Sequence, residues 1–112
     1  MQVSQINESG VLVFTLSEDL MGGAEAESFQ KKILAAIEKE QVQVVADLSQ
    51  VRWMNSSGLG MLIRALISLR SSGGDLRLTG ISERLRRPME IARLDTVFMQ
   101  YTTLAEATKS YN

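Results

Sequence analysis

The sequence predicts an α/β domain in which a mixed sheet of four to five strands is packed by about four helices. Short β-favouring runs alternate with apolar repeats at helical spacing, and the first two runs lie only a turn apart. Strands separated by helices pair in parallel through right-handed crossovers, whereas a hairpin pairs its strands antiparallel. The expected order is β-β-α-β-α-β-α-(β)-α within a single domain, residues 1–112.

The first half of the chain supplies a hairpin, a helix and a central strand. Glu8-Ser9-Gly10 has turn chemistry between two β-favouring runs. Gly22-Gly23 interrupts the chain before a segment rich in helix formers. Val44-Val45-Ala46 is continuously apolar, which is typical of a strand covered on both faces. The predicted elements are strands at 3–6 and 11–16, a helix at 24–39 and a strand at 42–48.

The second half alternates helices with two further strands. Leucines at helical spacing predict a helix that Ser71-Ser72-Gly73-Gly74 ends. Pro88 falls inside the next helical pattern and predicts that this helix starts late or is kinked. Thr103 and Glu106, three residues apart, resemble a capping box. The predicted elements are a helix at 57–71, a strand at 76–79, a helix at 82–94, a short edge strand at 97–101 and a last helix from 103 to about 110.

Composition excludes several classes of function. The chain has no histidine and no cysteine, so it cannot supply a Ser-His-Asp triad, a histidine-ligated zinc site or a reactive thiolate. Its net charge of −1 lacks the basic surplus typical of nucleic-acid binders. No apolar run approaches the roughly 20 residues of a membrane span, and the N-terminal residues do not resemble a signal peptide. We therefore expect a cytoplasmic protein with no cofactor, no metal, no direct nucleic-acid partner and no membrane association.

The most informative segment opens the predicted helix at 57–71. Asn55, Ser56 and Ser57 are small polar residues at a strand-to-helix turn, followed by Gly58 and Gly60. Any one of the three could supply the oxygen that caps the helix N-terminus. An exposed serine there could also accept a phosphate, which a helix N-terminus tolerates because its amide groups carry a partial positive charge. Residue chemistry alone leaves both interpretations open.

Enzymatic interpretations of the same segment fail. Gly58-Leu59-Gly60 lacks the Lys-Ser/Thr ending of a P-loop and the third glycine of a dinucleotide fingerprint. The Gly-x-Ser-x-Gly pattern of a nucleophile elbow is absent as well. We therefore predict that the chain is not an enzyme.

The segment also resembles the signature of the STAS domain, the fold of bacterial anti-sigma factor antagonists. In that family a strand ending in Asp-Leu leads to an apolar pair and then to Asp/Asn-Ser-Ser-Gly-Leu-Gly at the start of a helix. The matching residues are Asp47-Leu48, Trp53-Met54 and Asn55-Ser56-Ser57-Gly58-Leu59-Gly60. The order of predicted elements agrees over nearly the whole chain.

The resemblance implies a partner-switching role. The unphosphorylated protein would bind an anti-sigma factor that is itself a serine protein kinase, and would be released when the kinase uses its own ATP to phosphorylate Ser57. A phosphatase of the PP2C type would reset the switch, and the free protein would be a monomer. The implied docking residues lie at the helix start, with a glycine loop and the exposed side of the helix at 57–71 alongside. They are Asn55, Ser56, Ser57, Gly58 and Leu59, with Gly22 and Gly23.

Two positions depart from the family pattern. Asn55 stands where an aspartate is frequent, and Leu20-Met21-Gly22-Gly23 stands where the loop often carries Leu-Asp. An alternative function on the same fold is a scaffold that is never phosphorylated, or a small subunit of a lipid-transport or sensory assembly. The serine pair would then serve only as a helix cap and loop contact.

Overall fold

The structure is a computed structural model that describes residues 2–112. Its described part contains five strands and four helices in the predicted order. The strands are β1 (Gln2–Glu8), β2 (Val11–Leu20), β3 (Gln43–Met54), β4 (Asp75–Thr79) and β5 (Gln100–Tyr101). The helices are α1 (Ala24–Glu38), α2 (Ser56–Ser71), α3 (Glu83–Ile91) and α4 (Leu104–Lys109).

The strands form one mixed sheet in the order β1-β2-β3-β4-β5. β1 and β2 pair antiparallel, and each later pair is parallel. The three parallel crossovers advance in the same direction across the sheet. Right-handed connections of this kind place their helices on the same face. The predicted mixed sheet packed by helices is therefore confirmed.

Each face of the sheet has its own apolar cluster. The larger cluster contains Phe14 and Ala46 from the strands and Phe29 from α1, and the rings of Phe14 and Phe29 lie 5.5 Å apart edge to face. The smaller cluster contains Val45 and Ala107 and lies under α4. Because Val45 and Ala46 point to opposite faces and both are fully buried, the prediction that β3 is covered on both sides is confirmed.

Strands β2 and β3 are longer than the sequence predicts, ending at Leu20 and Met54. The register between them slips twice. Thr15 pairs with Asp47 but Ser17 pairs with Gln50, and a second slip falls just after Glu18. Each slip inserts one extra residue on β3, which bends a strand and breaks its alternation of apolar and polar residues. The bulges explain why residues 49–54 do not show a strand pattern in the sequence.

Helix α3 does not start late, so that part of the prediction is wrong. Ser82 caps it, since the Ser82 hydroxyl accepts a hydrogen bond from the Leu85 amide at 3.3 Å. The helix then runs through Pro88 to Ile91. The proline removes the N–H that would have bonded the carbonyl of Arg84, whose side chain is exposed.

Strand β5 is only two residues long, whereas the sequence predicts a strand at 97–101. The chain ahead of it is held by single contacts. The Leu78 amide donates to the Met99 carbonyl at 2.9 Å, and the Arg70 guanidinium donates to the Val97 carbonyl at 2.9 Å. The Val97 amide donates to the Leu94 carbonyl at 3.1 Å, so residues 94–97 form a turn and the strand begins only at Gln100.

The C-terminus is fastened to the sheet by Tyr111. Its hydroxyl lies 2.7 Å from the Val44 carbonyl oxygen and 2.8 Å from that of Asp75, and it accepts from the Val44 amide at 3.2 Å. The single phenol proton serves one carbonyl at a time. The Arg77 guanidinium lies 4.0 Å from the ring centroid. Burial, reinforced by the nearby Asp75 carboxylate, raises the pKa of the Tyr111 phenol, so the group stays neutral.

We expect Tyr111→Phe to lower the free energy of unfolding by about 1–3 kcal/mol, because buried backbone groups lose a partner. Urea unfolding at neutral pH measures this, with Tyr101→Phe as the control. The wild-type advantage should be complete below the ordinary tyrosine pKa of about 10 and should shrink as the pH rises above it, because the unfolded phenol ionises first. Equal stability of Tyr111→Phe and wild type would contradict the role.

Candidate functional site

The candidate site is the junction where β2 ends, β3 ends and α2 begins. Leu20 pairs with Met54 in the last rung of the β2–β3 ladder. The Asn55 amide then donates to the Leu20 carbonyl at 3.2 Å. The junction therefore lies at the carboxyl ends of two parallel strands, the edge at which open α/β sheets place their binding sites.

The cap of α2 is Asn55. Its side-chain oxygen Oδ1 accepts a hydrogen bond from the Gly58 amide at 2.7 Å. Ser56 and Ser57 occupy the first and second positions of the helix, and both side chains are exposed. Of the three residues that could have capped the helix, the structure selects Asn55. The two serine hydroxyls are not used for capping and remain at the surface.

Gly58 is required by close packing. A Cβ atom there would lie 1.9 Å from the Leu20 carbonyl oxygen, well inside van der Waals contact. Gly58 is buried, and Leu59 is only 6% exposed and belongs to the core. These two predicted docking residues therefore offer almost no surface. They pack the start of α2 against β2, because the apolar face of α2 lies on the sheet.

The Gly22-Gly23 loop lies directly against Ser57. Gly22 has a φ of +83°, and a Cβ atom there would lie 2.7 Å from the Ser57 Cβ. Gly23 is exposed and forms the N-cap of α1, with no side chain capping that helix. The structure thus brings together the glycine loop and the serine pair, which lie more than thirty residues apart in the chain.

Two large apolar side chains that lie close to the junction in the sequence are exposed. Met21, next to Gly22, is 47% exposed, and Trp53, two residues before Asn55, is 45% exposed. Sequence reasoning did not assign either one to the surface of the site. The available signal was the alternation at the end of β3, where Met54 is buried and Trp53, its neighbour, must face the other way.

Charges surround the junction without forming a cation site. Arg52 Nε lies 3.6 Å from Asp19 Oδ1, and Arg64 Nη1 lies 2.9 Å from Glu27 Oε1. Within residues 2–112 no group of three or more acidic, histidine or cysteine side chains is arranged to hold a metal ion. No helix in that part of the chain has the length and apolar character needed to cross a membrane. Exposed charged side chains of both signs therefore lie around the junction.

The family model for the STAS domain matches residues 3–107. The chain belongs to the STAS domain family. Among the relatives of this STAS domain, an anti-sigma-B factor antagonist of Listeria monocytogenes is 41% identical over 59 residues, which cover 53% of this chain and 52% of the relative. The match thus spans about half the length of that curated relative.

Solved structures resemble the STAS domain over nearly its full length. An anti-sigma factor antagonist from Mycobacterium paratuberculosis superposes with a TM-score of 0.82 and 26% identity, covering 97% of this chain and 92% of the other. The phosphorylated form of the Bacillus cell fate determinant SpoIIAA gives a TM-score of 0.76 at 20% identity, covering 99% and 100%. The second likeness shows the fold alone.

Proposed function

We propose that this STAS domain is an anti-sigma factor antagonist whose binding is switched by phosphorylation of Ser57. The observation that carries the proposal is the division of roles at the start of α2. Asn55 caps the helix, while the Ser57 hydroxyl is exposed beside the Gly22-Gly23 loop. The names of the relatives that match this chain support the same class of function.

A phosphate on Ser57 would leave the fold intact. It adds about −1.5 to −2 charge units, and a helix N-terminus favours negative charge there. The Asn55 cap does not involve the Ser57 hydroxyl, so the modification breaks no hydrogen bond of the cap. The added charge therefore acts on association rather than on folding.

The same phosphate would oppose docking. Ser57 is exposed and lies against Gly22, whose neighbour Met21 is 47% exposed. A partner that packs on Met21 and the Gly22-Gly23 loop excludes water from the Ser57 hydroxyl beside them. A phosphate in that place would have to lose its hydration when the partner covers it, which is costly.

In this proposal the partner is an anti-sigma factor that is also a serine protein kinase. The kinase supplies the ATP site, which this chain lacks, and a PP2C-type phosphatase restores the hydroxyl. The docking surface consists of Asn55, Ser56 and Ser57 with the Gly22-Gly23 loop. The protein acts in the cytoplasm as a binding module rather than an enzyme, without direct contact with nucleic acid or membrane.

Phosphorylation by the cognate kinase tests the acceptor. We expect one phosphate per chain, located on Ser57, when the purified protein is incubated with kinase and ATP, because Ser57 is the residue beside the glycine loop. Tandem mass spectrometry locates it. Ser56→Ala is the matched control and should accept the phosphate normally, whereas Ser57→Ala should accept none. A phosphate on Ser56, or phosphorylation of Ser57→Ala, would contradict the assignment.

The alternative scaffold function has less support from the structure. It treats the serine pair only as a helix cap and loop contact, yet the capping oxygen belongs to Asn55. Intact-mass measurement of the protein from its native host separates the two functions. A phosphorylated fraction favours the switch, and its absence under every growth condition favours the scaffold.

A further inference from the structure

Strand β1 is an unprotected sheet edge. It pairs with β2 on one side without a bulge, from the Gln2–Ser17 pair to the Glu8–Val11 pair. Natural proteins protect exposed edges with lysine, proline, bulges or very short strands. The opposite edge, β5, is two residues long and follows this rule. β1 is seven residues long, contains no lysine or proline, and has its only charge at Glu8.

The hairpin determines which backbone groups of β1 face outward. Its two-residue turn, Ser9-Gly10, has positive φ at both positions, 53° and 83°, as a type I′ turn requires. Such a turn closes with a hydrogen bond between the flanking residues, Glu8 and Val11. Hydrogen-bonded and non-hydrogen-bonded pairs then alternate along the ladder. The outward N–H and C=O groups therefore belong to the alternate residues Val3, Gln5 and Asn7.

We propose that β1 pairs antiparallel with β1 of a second copy of this chain, across a two-fold axis through Gln5. In this register Gln5 lies opposite Gln5 of the second copy, and Val3 lies opposite Asn7 of the second copy. Every outward-facing residue then meets another outward-facing residue. The pairing forms roughly six main-chain hydrogen bonds, and two sheets become one continuous sheet.

The side chains of β1 are self-complementary in the same register. Ile6, half exposed in the single chain, lies opposite Ser4 of the second copy and beside Ile6 of the second copy. Glu8 lies opposite Gln2 of the second copy, so no two carboxylates face each other. Opposed like charges destabilise a strand pair, and this register has none. These features favour a second copy over an unrelated strand.

The expected dimer is weak and depends on concentration. A contact confined to one strand buries little surface area, whereas stable interfaces bury about 1,200–2,000 Å². The protein should therefore be monomeric when dilute, as the family resemblance implies, and dimeric when concentrated. β1 contains no residue of the junction around Ser57, so this proposal does not depend on the proposed function.

Charge substitutions at Gln5 test the two-fold register. Gln5→Lys or Gln5→Glu places two like charges opposite each other, and each should weaken dimerisation about fivefold to tenfold. An equimolar mixture of the two variants should restore the dimer, because lysine then faces glutamate. Sedimentation velocity over a wide range of concentration measures this. Gln43→Lys, at an exposed position on the interior strand β3, is the matched control and should dimerise like wild type.

Three results would overturn the proposal. They are a wild-type protein that stays monomeric up to its solubility limit, a dimer that Gln5→Lys and Gln5→Glu leave unchanged, and a mixture of the two variants that is no more dimeric than either one. Circular dichroism and urea unfolding establish that all variants are folded before they are compared. Gln5 is exposed, so neither substitution disturbs the core.

Discussion

Gly58→Ala is expected to lower the free energy of unfolding by roughly 3–5 kcal/mol, among the largest effects of a single substitution. The added methyl group would lie 1.9 Å from the Leu20 carbonyl oxygen and 2.6 Å from its carbonyl carbon. Both are backbone atoms of β2, so no side-chain rotation can relieve the clash. The start of α2 would have to move away from the sheet, opening the core beneath it. Urea unfolding measures the loss.

Gly60→Ala is the matched control, since it makes the same chemical change one half-turn further along α2. A Cβ atom at Gly60 meets nothing within 4 Å. We expect this variant to gain about 0.5–1 kcal/mol, because alanine loses less backbone entropy than glycine in a helix. Insoluble Gly58→Ala beside soluble Gly60→Ala would agree with the prediction. Equal stability of the two variants would show that the contact with Leu20 is not tight.

Ser57→Glu is expected to weaken binding to the anti-sigma kinase by about 100-fold, which corresponds to about 2.7 kcal/mol. The carboxylate stands in for the phosphate and loses water when the partner covers Ser57 and the Gly22-Gly23 loop. Ser57→Ala should bind within about threefold of wild type and should resist release by ATP. Isothermal titration calorimetry measures each affinity in the absence of ATP.

Ser56→Glu tests whether the loss of binding depends on where the negative charge lies or only on its presence. It adds the same carboxylate one residue earlier, about 100° around the helix, away from the side chain that touches Gly22. We expect a loss of affinity below about tenfold. If Ser56→Glu and Ser57→Glu weaken binding equally, the effect is general electrostatics and the switch is not located at Ser57. If neither weakens binding, the docking surface lies elsewhere.

Much of the fold could be predicted because its signals are local. The continuous run Val44-Val45-Ala46 indicates burial on both faces of the sheet, and the structure buries all three. The spacing of Thr103 and Glu106 predicts a capping box, and both of its hydrogen bonds are present. Such signals depend on neighbours three or four residues away, and so they can be read from the sequence.

What could not be predicted depends on contacts between distant parts of the chain. The need for glycine at position 58 comes from Leu20, thirty-eight residues earlier. The close contact between Gly22 and Ser57 likewise joins residues that are distant in the chain. The bulges in β3 hide the strand that carries Trp53 to the surface. Among three suitable capping residues, only the geometry of the helix start selects Asn55. The serine pair was identified from its motif, and the family resemblance implied the Gly22-Gly23 loop alongside it, but not the close contact between Gly22 and Ser57.

Trp53 can also serve as a fluorescent probe of the junction. It is the only tryptophan of the chain, it is 45% exposed, and it lies two residues before the Asn55 cap. Its emission therefore comes from a single place, and a tryptophan transferred from water to an apolar contact fluoresces at shorter wavelength. With a partner that lacks tryptophan, stopped-flow mixing would follow docking on the unlabelled protein as it occurs. The release that follows addition of ATP would shift the emission back to longer wavelength.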